Sequence, residues 1–325
     1  MNKALWKSAV LAPGVVVAAS LMILCTAQCT GDRDGASQEA STPEGMTQLA
    51  DVAYANAEYK KAERLYRNAL EIQIEQNGEV HPSVVKSLND LGLALQALDS
   101  LEEAEACYKR NLELCRQLYG EDQHSADGNS FLGSINMQLD LYHRAEAYSR
   151  EALRLRRTGF PDDHELICSD LINLGDALLW QKKYAAADSA YGQALAISRA
   201  VLPGDRQNKA AALLGKGQSL VYMGDANQAE PLIREGLTIR EEHMPDDWHT
   251  YDARSHLGFC LTHLGRYREA EEVLAKTYAL LTEERGAGER HTRRTARRLA
   301  DLYEAWGKPE LYAHYSALAG DRRVR

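Results

Sequence analysis

Leu91-Gly92-Leu93-Ala94-Leu95, followed after five intervening residues by Leu101-Glu102-Glu103-Ala104-Glu105-Ala106-Cys107-Tyr108, is a pattern that returns about every 42 residues to the C-terminus. With Tyr59, Leu101, Tyr142, Tyr184, Ala226, Tyr267 and Pro309 as anchors, the spacings are 42, 41, 42, 42, 41 and 42. Three residues after the first six anchors stand Ala62, Ala104, Ala145, Ala187, Ala229 and Ala270, each followed by an acid: Glu63, Glu105, Glu146, Asp188, Glu230 and Glu271. Nine before the anchors stand Ala50, Gly92, Gly133, Gly175, Gly217, Gly258 and Ala300. A fixed period of this length implies an array in which each unit buries one face against the next, without a shared globular core.

Each unit reads as two antiparallel helices. In helix A the apolar positions lie thirteen, ten, nine and six before the anchor, as in Leu171, Leu174, Gly175 and Leu178, one face of a helix. Helix B carries its stripe on Ala187, Tyr191, Ala194 and Leu195. A glycine inside a helix costs roughly 1 kcal/mol against alanine, so its recurrence calls for a close approach. The expected one is to the alanine of helix B, and Gly175→Leu is expected to force the pair apart.

Leu-Gly followed by aromatic-x-x-Ala-Glu-x-x-Tyr-x-x-x-Leu, as in Leu257-Gly258 with Tyr267, Ala270 and Glu271, resembles the tetratricopeptide repeat. The helices are longer than in the common 34-residue form. This variety is similar to the repeats of kinesin light chains and of tails on some bacterial serine/threonine kinases. The resemblance covers about residues 44 to 319 and implies an all-α fold: an α-solenoid of about seven antiparallel hairpins in a right-handed superhelix. Armadillo and HEAT helices share the period, but the Leu-Gly and Ala-acid pairs favour the tetratricopeptide reading. The fifth unit departs from the pattern at Lys216, the third at Asn129 and Asn136, and the seventh is degenerate.

Met1 to Lys7 carries two lysines and no acid, and Ala9 to Cys25 is almost wholly apolar, which reads as an export signal or membrane anchor over residues 1–27. Cleavage after Ala27, retention as an anchor and lipidation at Cys25 or Cys29 stay open, although Leu24 and Gln28 suit lipidation poorly. The positive-inside rule then places the remainder outside the cytoplasm, in the periplasm or cell envelope, secreted or tethered. Residues 28–45 read as a disordered linker, with the first helix expected near Met46, residues 46–319 as the repeat array, and 320–325 as a basic tail. The formal charge of −9, which becomes −11 if Lys3 and Lys7 leave, argues against nucleic acid as a partner. Oligomeric state is not legible. Cys107, Cys115, Cys168 and Cys260 form no C-x-x-C pair and read as buried thiols.

Histidines recur beside acids in the connectors, at His81, His124, His164, His249 and His291. About 40 residues apart, they sit on different steps of the stack and should not converge on a metal; each connector is expected to cap the next helix A. No Walker loop, kinase signature, H-E-x-x-H or G-x-S-x-G is present, so neither enzyme chemistry nor a cofactor is expected.

Positions twelve, eight, five and four before the anchor line the concave groove of tetratricopeptide proteins, and the resemblance implies the same here. They supply the candidate peptide-binding residues Asn89, Gln96, Ser130, Asp176, Trp180, Gln218, Tyr222, Phe259, His263 and Arg297. Aromatics in a concavity are suited to anchoring an extended or helical peptide, or else they fill space between repeats. The arginines at 290, 293, 294, 297 and 298 read as the polar face of a terminal repeat, with an acidic ligand as the sharper alternative. The sequence thus points to a non-enzymatic scaffold for a protein or peptide. Its rival is a structural subunit or assembly factor of an envelope enzyme or secretion complex that uses its outer surfaces.

Overall fold

The computed structural model describes residues 42–201 and 206–320, and among these are fourteen helices and no strand. They pair as α1 (Pro43–Ala55) with α2 (Tyr59–Asn77), α3 (Pro82–Ala97) with α4 (Leu101–Tyr119), and α5 (Gln123–Gln138) with α6 (Tyr142–Gly159). The series continues with α7 (Glu165–Trp180) and α8 (Tyr184–Val201), α9 (Arg206–Tyr222) and α10 (Ala226–His243), and α11 (Trp248–His263) and α12 (Tyr267–Arg285). It ends with α13 (Arg290–Ala305) and α14 (Pro309–Leu318). Every anchor residue is the first residue of its helix B. The chain divides into two compact units at Asp162 and Asp163; the first holds α1 to α6, the second α7 to α14.

One backbone device makes the turn in all seven hairpins. The residue two before the anchor is left-handed: Ala57, Asp99, Asp140, Lys182, Gly224, Gly265 and Gly307 have φ between 58° and 92°. The next amide then bonds back to the carbonyl five residues earlier, as in Ser100 to Leu95 at 2.9 Å, Lys183 to Leu178 at 2.9 Å and Arg266 to Leu261 at 3.0 Å. This is the 6→1 bond of a Schellman turn, which satisfies a carbonyl that the helix end would orphan.

The connectors between hairpins cap the following helix A. Side chains of His81, Asp122, His164, Asp247 and Glu289 accept the amide two residues on, at 2.7–3.2 Å. Two of the connector histidines therefore serve as caps, and the other three follow an acid that does. The first helix begins at Pro43, three residues before Met46, because Thr42 Oγ1 accepts the Gly45 amide and proline suits the first helical position. The leader at 1–27, the linker as far as Ser41 and the tail at 321–325 lie outside the described residues. No described helix is long and apolar enough to cross a membrane.

The nearest partner of the helix A glycines lies one turn beyond the expected alanine, whose carbonyl is the next neighbour of a Cβ on Gly133 at 3.6 Å and on Gly217 at 3.3 Å. A Cβ on Gly92, Gly133, Gly175 or Gly217 would meet Tyr108, Ser149, Tyr191 or Ile233 at 2.5–2.9 Å, and one on Gly258 would strike Leu274. Each of these lies seven residues after the anchor, one turn beyond the alanine. The larger side chain projects across the hairpin onto helix A, and the missing Cβ is the space it occupies. The alanines are fully buried, but the acids beside them stay partly exposed, and those of the first three repeats pair within the helix. Glu63–Arg67, Glu105–Lys109 and Glu146–Arg150 are separated by four residues and 2.7–3.0 Å. The departures in the third and fifth units are absorbed locally. Asn129 and Asn136 donate to Ser125 and Leu132 carbonyls at 2.7 and 2.8 Å, and Lys216 pairs with Asp188 at 2.6 Å.

Candidate peptide-binding face

Three of the candidate residues lie in the first unit. Gln96, on α3, accepts the Tyr108 hydroxyl at 3.2 Å, while Asn89 and Ser130 are half-buried. The Asn89 carbonyl oxygen is buried without a hydrogen-bond partner among the described residues. The nearby stack of Tyr108 on Phe131, 5.1 Å between centroids, joins consecutive repeats.

The second unit holds the other seven, and there side chains from different repeats converge. Tyr184, the first residue of α8, stacks on Tyr222 at the end of α9 (4.8 Å, 9° between planes). Tyr222 leans on Phe259 of α11 at 5.1 Å, and Phe259 meets His263 edge-on at 4.4 Å. Phe259 is buried, Gln218 is buried, and His263 and Arg297 are exposed. Tyr222 is 39% exposed, so this aromatic ladder reaches solvent at its middle rung. Trp180 is half-buried, with the Arg294 guanidinium of α13 lying 5.5 Å over its ring. Contact between the fourth and seventh repeats means that the helix A faces of this unit turn toward one another.

A second row runs beside the first, fifteen and eleven residues before the anchor. On α11 it consists of Asp252 and His256, and on α13 of Arg294 and Arg298. Arg294 Nη2 donates to Asp252 at 2.5 Å and lies 2.8 Å from His291 Nδ1. His256 Nε2 is 3.4 Å from Asp252 without hydrogen-bond geometry. Burial would raise the Asp252 pKa, but Arg294 and then His256 outweigh it and hold the carboxyl well below the usual carboxylate range. Burial, with Arg298 adding to it, pushes His256 down to about 4. Burial also lowers His291, against the pull of Asp252. Asp176 takes the Tyr191 hydroxyl at 2.5 Å, yet burial outweighs that bond and raises it to about 6. Arg298 is 4% exposed and brought down to about 10 by burial, then by Arg294. Its Nη1 donates to Ser255 Oγ at 2.6 Å, its Cζ lies 5.5 Å from the Phe259 ring centroid, and its Nη2 has no hydrogen-bond partner among the described residues.

The tetratricopeptide repeat family model matches residues 41–117, 86–158, 165–242 and 250–311, most of the chain. The chain belongs to the tetratricopeptide repeat family. The mitochondrial tetratricopeptide repeat protein 19 of Homo sapiens is 32% identical over 94 residues, 29% of this chain and 24% of the relative. The chain thus spans about a quarter of the length of the curated relatives it matches. Among solved structures, kinesin light chain repeats from Podosopora anserina share 17% identity at a TM-score of 0.54, covering 62% of this chain and 96% of that one. The apo form of RapI shares 14% at 0.71, covering 86% and 97%. A Rap conjugation gene regulator in complex with the Phr peptide shares 14% at 0.63, covering 86% and 73%. These likenesses, at such identities, establish the fold.

In the tetratricopeptide frame the stripe read from sequence and the charged row are neighbours on one helical face, three or four residues apart. Asp252 and His256 were missed because the row carries no periodic signature: the same positions in α9 and α7 are Ala211 and Gly215, and Ser169 and Asn173. A signal was available in the arginine pairs of α13, spaced so that Arg294 and Arg298 fall on the face that carries Leu302. Chemically the face offers aromatic surface, one neutralised ion pair and one arginine with donor capacity to spare. Among the described residues no group of three or more His, Cys, Asp or Glu could hold a metal. The Cys115 and Cys260 thiols are pushed up to about 11 by burial, which disfavours the reactive thiolate.

Proposed function

We propose that this tetratricopeptide repeat chain is a non-enzymatic scaffold that holds a segment of a partner protein against the helix A face of its second unit. The reading rests on the ladder of Tyr184, Tyr222 and Phe259, which ties three repeats together and exposes 39% of Tyr222 beside buried charge. An aromatic ring half out of water is the kind of group that dominates peptide interfaces. The Rap regulator bound to the Phr peptide supports the same use of this fold.

Placing a photo-crosslinking amino acid at position 222 should capture a partner, and Tyr222→Ala should lower recovery of that partner roughly tenfold in a pull-down, one hot-spot aromatic's share. Equal recovery from wild type and variant would defeat the groove reading. Loss of the two ring contacts to Tyr184 and Phe259 should lower stability by about 1–3 kcal/mol, so the comparison is made at a temperature where circular dichroism shows both proteins fully folded.

We further propose that the protein works outside the cytoplasm, the expectation carried by the lysines and apolar run of Met1 to Ala27. Carbonate extraction of fractionated cells should leave it in the membrane pellet if the segment is retained, or in the periplasm or medium if it is cleaved. Recovery in the cytoplasm would overturn the proposal.

A further inference from the structure

We propose that acid unlatches the last hairpin of the second unit: protonation of His256 on α11 parts the N-terminal half of α13 from α11 and α7, while the C-terminal half stays tied to α12. Opening needs no ligand, so the latch stands or falls apart from the groove reading above.

The two ends of α13 are held in different ways. At the C-terminal end the Tyr303 hydroxyl donates to Glu271 of α12 at 2.9 Å, and Lys308 just beyond the helix reaches the same carboxylate at 3.3 Å. At the N-terminal end the ties run to α11 and depend on charge. Arg294 donates to Asp252 at 2.5 Å, Arg298 and Thr295 meet Ser255 at 2.6 and 3.2 Å, and Arg294 also covers Trp180 of α7. Among the described residues this hairpin has a repeat on one side only, and terminal elements open at the lowest free energy.

His256 sits inside the charged tie with nothing to hold its proton. It is 9% exposed, neither ring nitrogen has a hydrogen-bond partner among the described residues, and Nε2 stands 3.4 Å from Asp252. Two unpartnered nitrogens in a dry site are unfavourable. A leucine would fill the position at lower cost, so packing gives no reason for an imidazole.

The charges around it are matched only while it is neutral. Those acting on His256 are Asp252 on its own helix and Arg298 and Arg294 on α13. Those acting in turn on Asp252 or Arg298 are Asp176 of α7, Tyr222 of α9, Arg240 of α10, and His291 and Asp301 of α13. At neutral pH the two arginines of the tie face the carboxylates of Asp252 and Asp176. In acid His256 becomes a third cation and His291 a fourth, while Asp176 turns neutral, so Asp252 alone is left to hold them together. Such crowding in a buried site is relieved by admitting water, and the end of α13 that carries Arg294 is where the ties give way.

The direction follows from the same contacts. Burial, then Arg298, hold His256 at about 4 while α13 is docked, against 6.5 for an imidazole in water. The open state therefore takes up a proton that the docked state does not, so the latch is at full strength above about pH 6.5 and weakens as pH falls toward 4. Asp176 keeps its bond to Tyr191 inside its own hairpin, and its protonation near 6 removes an anion that faced Arg294.

The test is hydrogen exchange by the full chain at pH 7.5 and pH 4.5, corrected for the intrinsic rate and resolved by peptide. For one group shifted from 6.5 to about 4, opening should become about 70-fold more frequent over that interval. The rise should appear in the N-terminal half of α13, which frays once it has parted, with α7 to α10 changed little. His256→Leu should abolish most of it, leaving a few-fold share for His291. The melting temperature of that variant at pH 7.5 should hold or rise, which shows that it folds. Arg298→Gln should shrink the rise by a second route, since it removes one of the cations that a protonated His256 meets, and Asp176→Asn should leave the rise in place. An equal rise in wild type and His256→Leu, a rise shared by α7 to α10, or no rise in wild type would each overturn the proposal. So would a rise lost on Asp176→Asn and kept on His256→Leu.

Discussion

Asp252→Asn is expected to destabilise the second unit by about 3 kcal/mol at neutral pH, the lower end of the range for breaking a buried pair. The lower end applies because the side chains of Asp252 and Arg294 each keep 18% of their surface in contact with water. Asparagine preserves the shape and removes the charge that balances Arg294, leaving two arginines of α13 among neutral histidines. Hydrogen exchange in α11 and α13 should accelerate with little change in α1 to α6, and the denaturation midpoint of the second unit should fall. Titration separates this effect from its neighbours. The native Asp252 carboxyl sits well below the ordinary 3.8, so its stabilisation is complete above about pH 4 and drains away as pH falls through the native pKa. His256 is lowered from 6.5 to about 4, so its contribution is lost earlier, as the unfolded chain takes up protons between those values. Asp176 works the other way: raised to about 6, it relieves the fold on protonation. The difference between wild type and Asp252→Asn should therefore persist down to about pH 4 and close only below it, because Asp252 also raises His256 and His291 and their protonation in the wild type cannot close it earlier. A difference that closed near pH 6 would assign the stabilisation to another group.

The architecture was legible because repetition averages out local ambiguity. A single Leu-Gly or Ala-Glu pair says little, but seven anchors at one spacing locate the hairpins, and each anchor opens its helix B. The turns were less visible. The left-handed residue is glycine in only three hairpins, Gly224, Gly265 and Gly307, while Ala57, Asp99, Asp140 and Lys182 hold the same conformation in the others. The Schellman bond and hairpin packing impose that backbone whatever residue is present, so turn chemistry alone does not mark it.

The functional face was legible only in part. Periodicity identified the positions of Tyr222 and Phe259, because an aromatic on a repeated stripe stands out from its small neighbours. It could not show that Trp180 would be covered by Arg294 from three repeats away, since that meeting depends on how the hairpins of the second unit turn. For the same reason the arginines of α13 read as the wetted face of a terminal repeat, whereas Arg298 is 4% exposed and Arg294 half-buried. Charge in a sequence is presumed solvated. In this unit it is the curvature that brings two of those arginines inside.

Gly175→Leu should cost about 3 kcal/mol or more, and even Gly175→Ala should destabilise, against the direction that helix propensity predicts. Propensity alone favours alanine by about 1 kcal/mol in a helix interior. The Cβ, however, would stand 2.7 Å from Tyr191 Cε1 and 2.8 Å from Cζ. The ring cannot yield, because its opposite contact is Gly215 of α9, its hydroxyl is held by Asp176 at 2.5 Å, and it is fully buried. Overpacking of this kind costs 1–3 kcal/mol, enough to outweigh propensity and leave Gly175→Ala a net loss of about 1 kcal/mol. Gly192, the residue after Tyr191 on α8, supplies the contrast, since a Cβ there would meet only the Lys216 ammonium at 3.7 Å. Gly192→Ala should therefore gain what propensity offers. A double-mutant cycle assigns the cause: with Tyr191→Ala in place the penalty of Gly175→Ala should vanish or change sign, while the gain of Gly192→Ala stays put. If Gly175→Ala proved stabilising in the wild-type background by chemical denaturation, the fit of Tyr191 between two glycines would not be what sets the spacing of α7, α8 and α9.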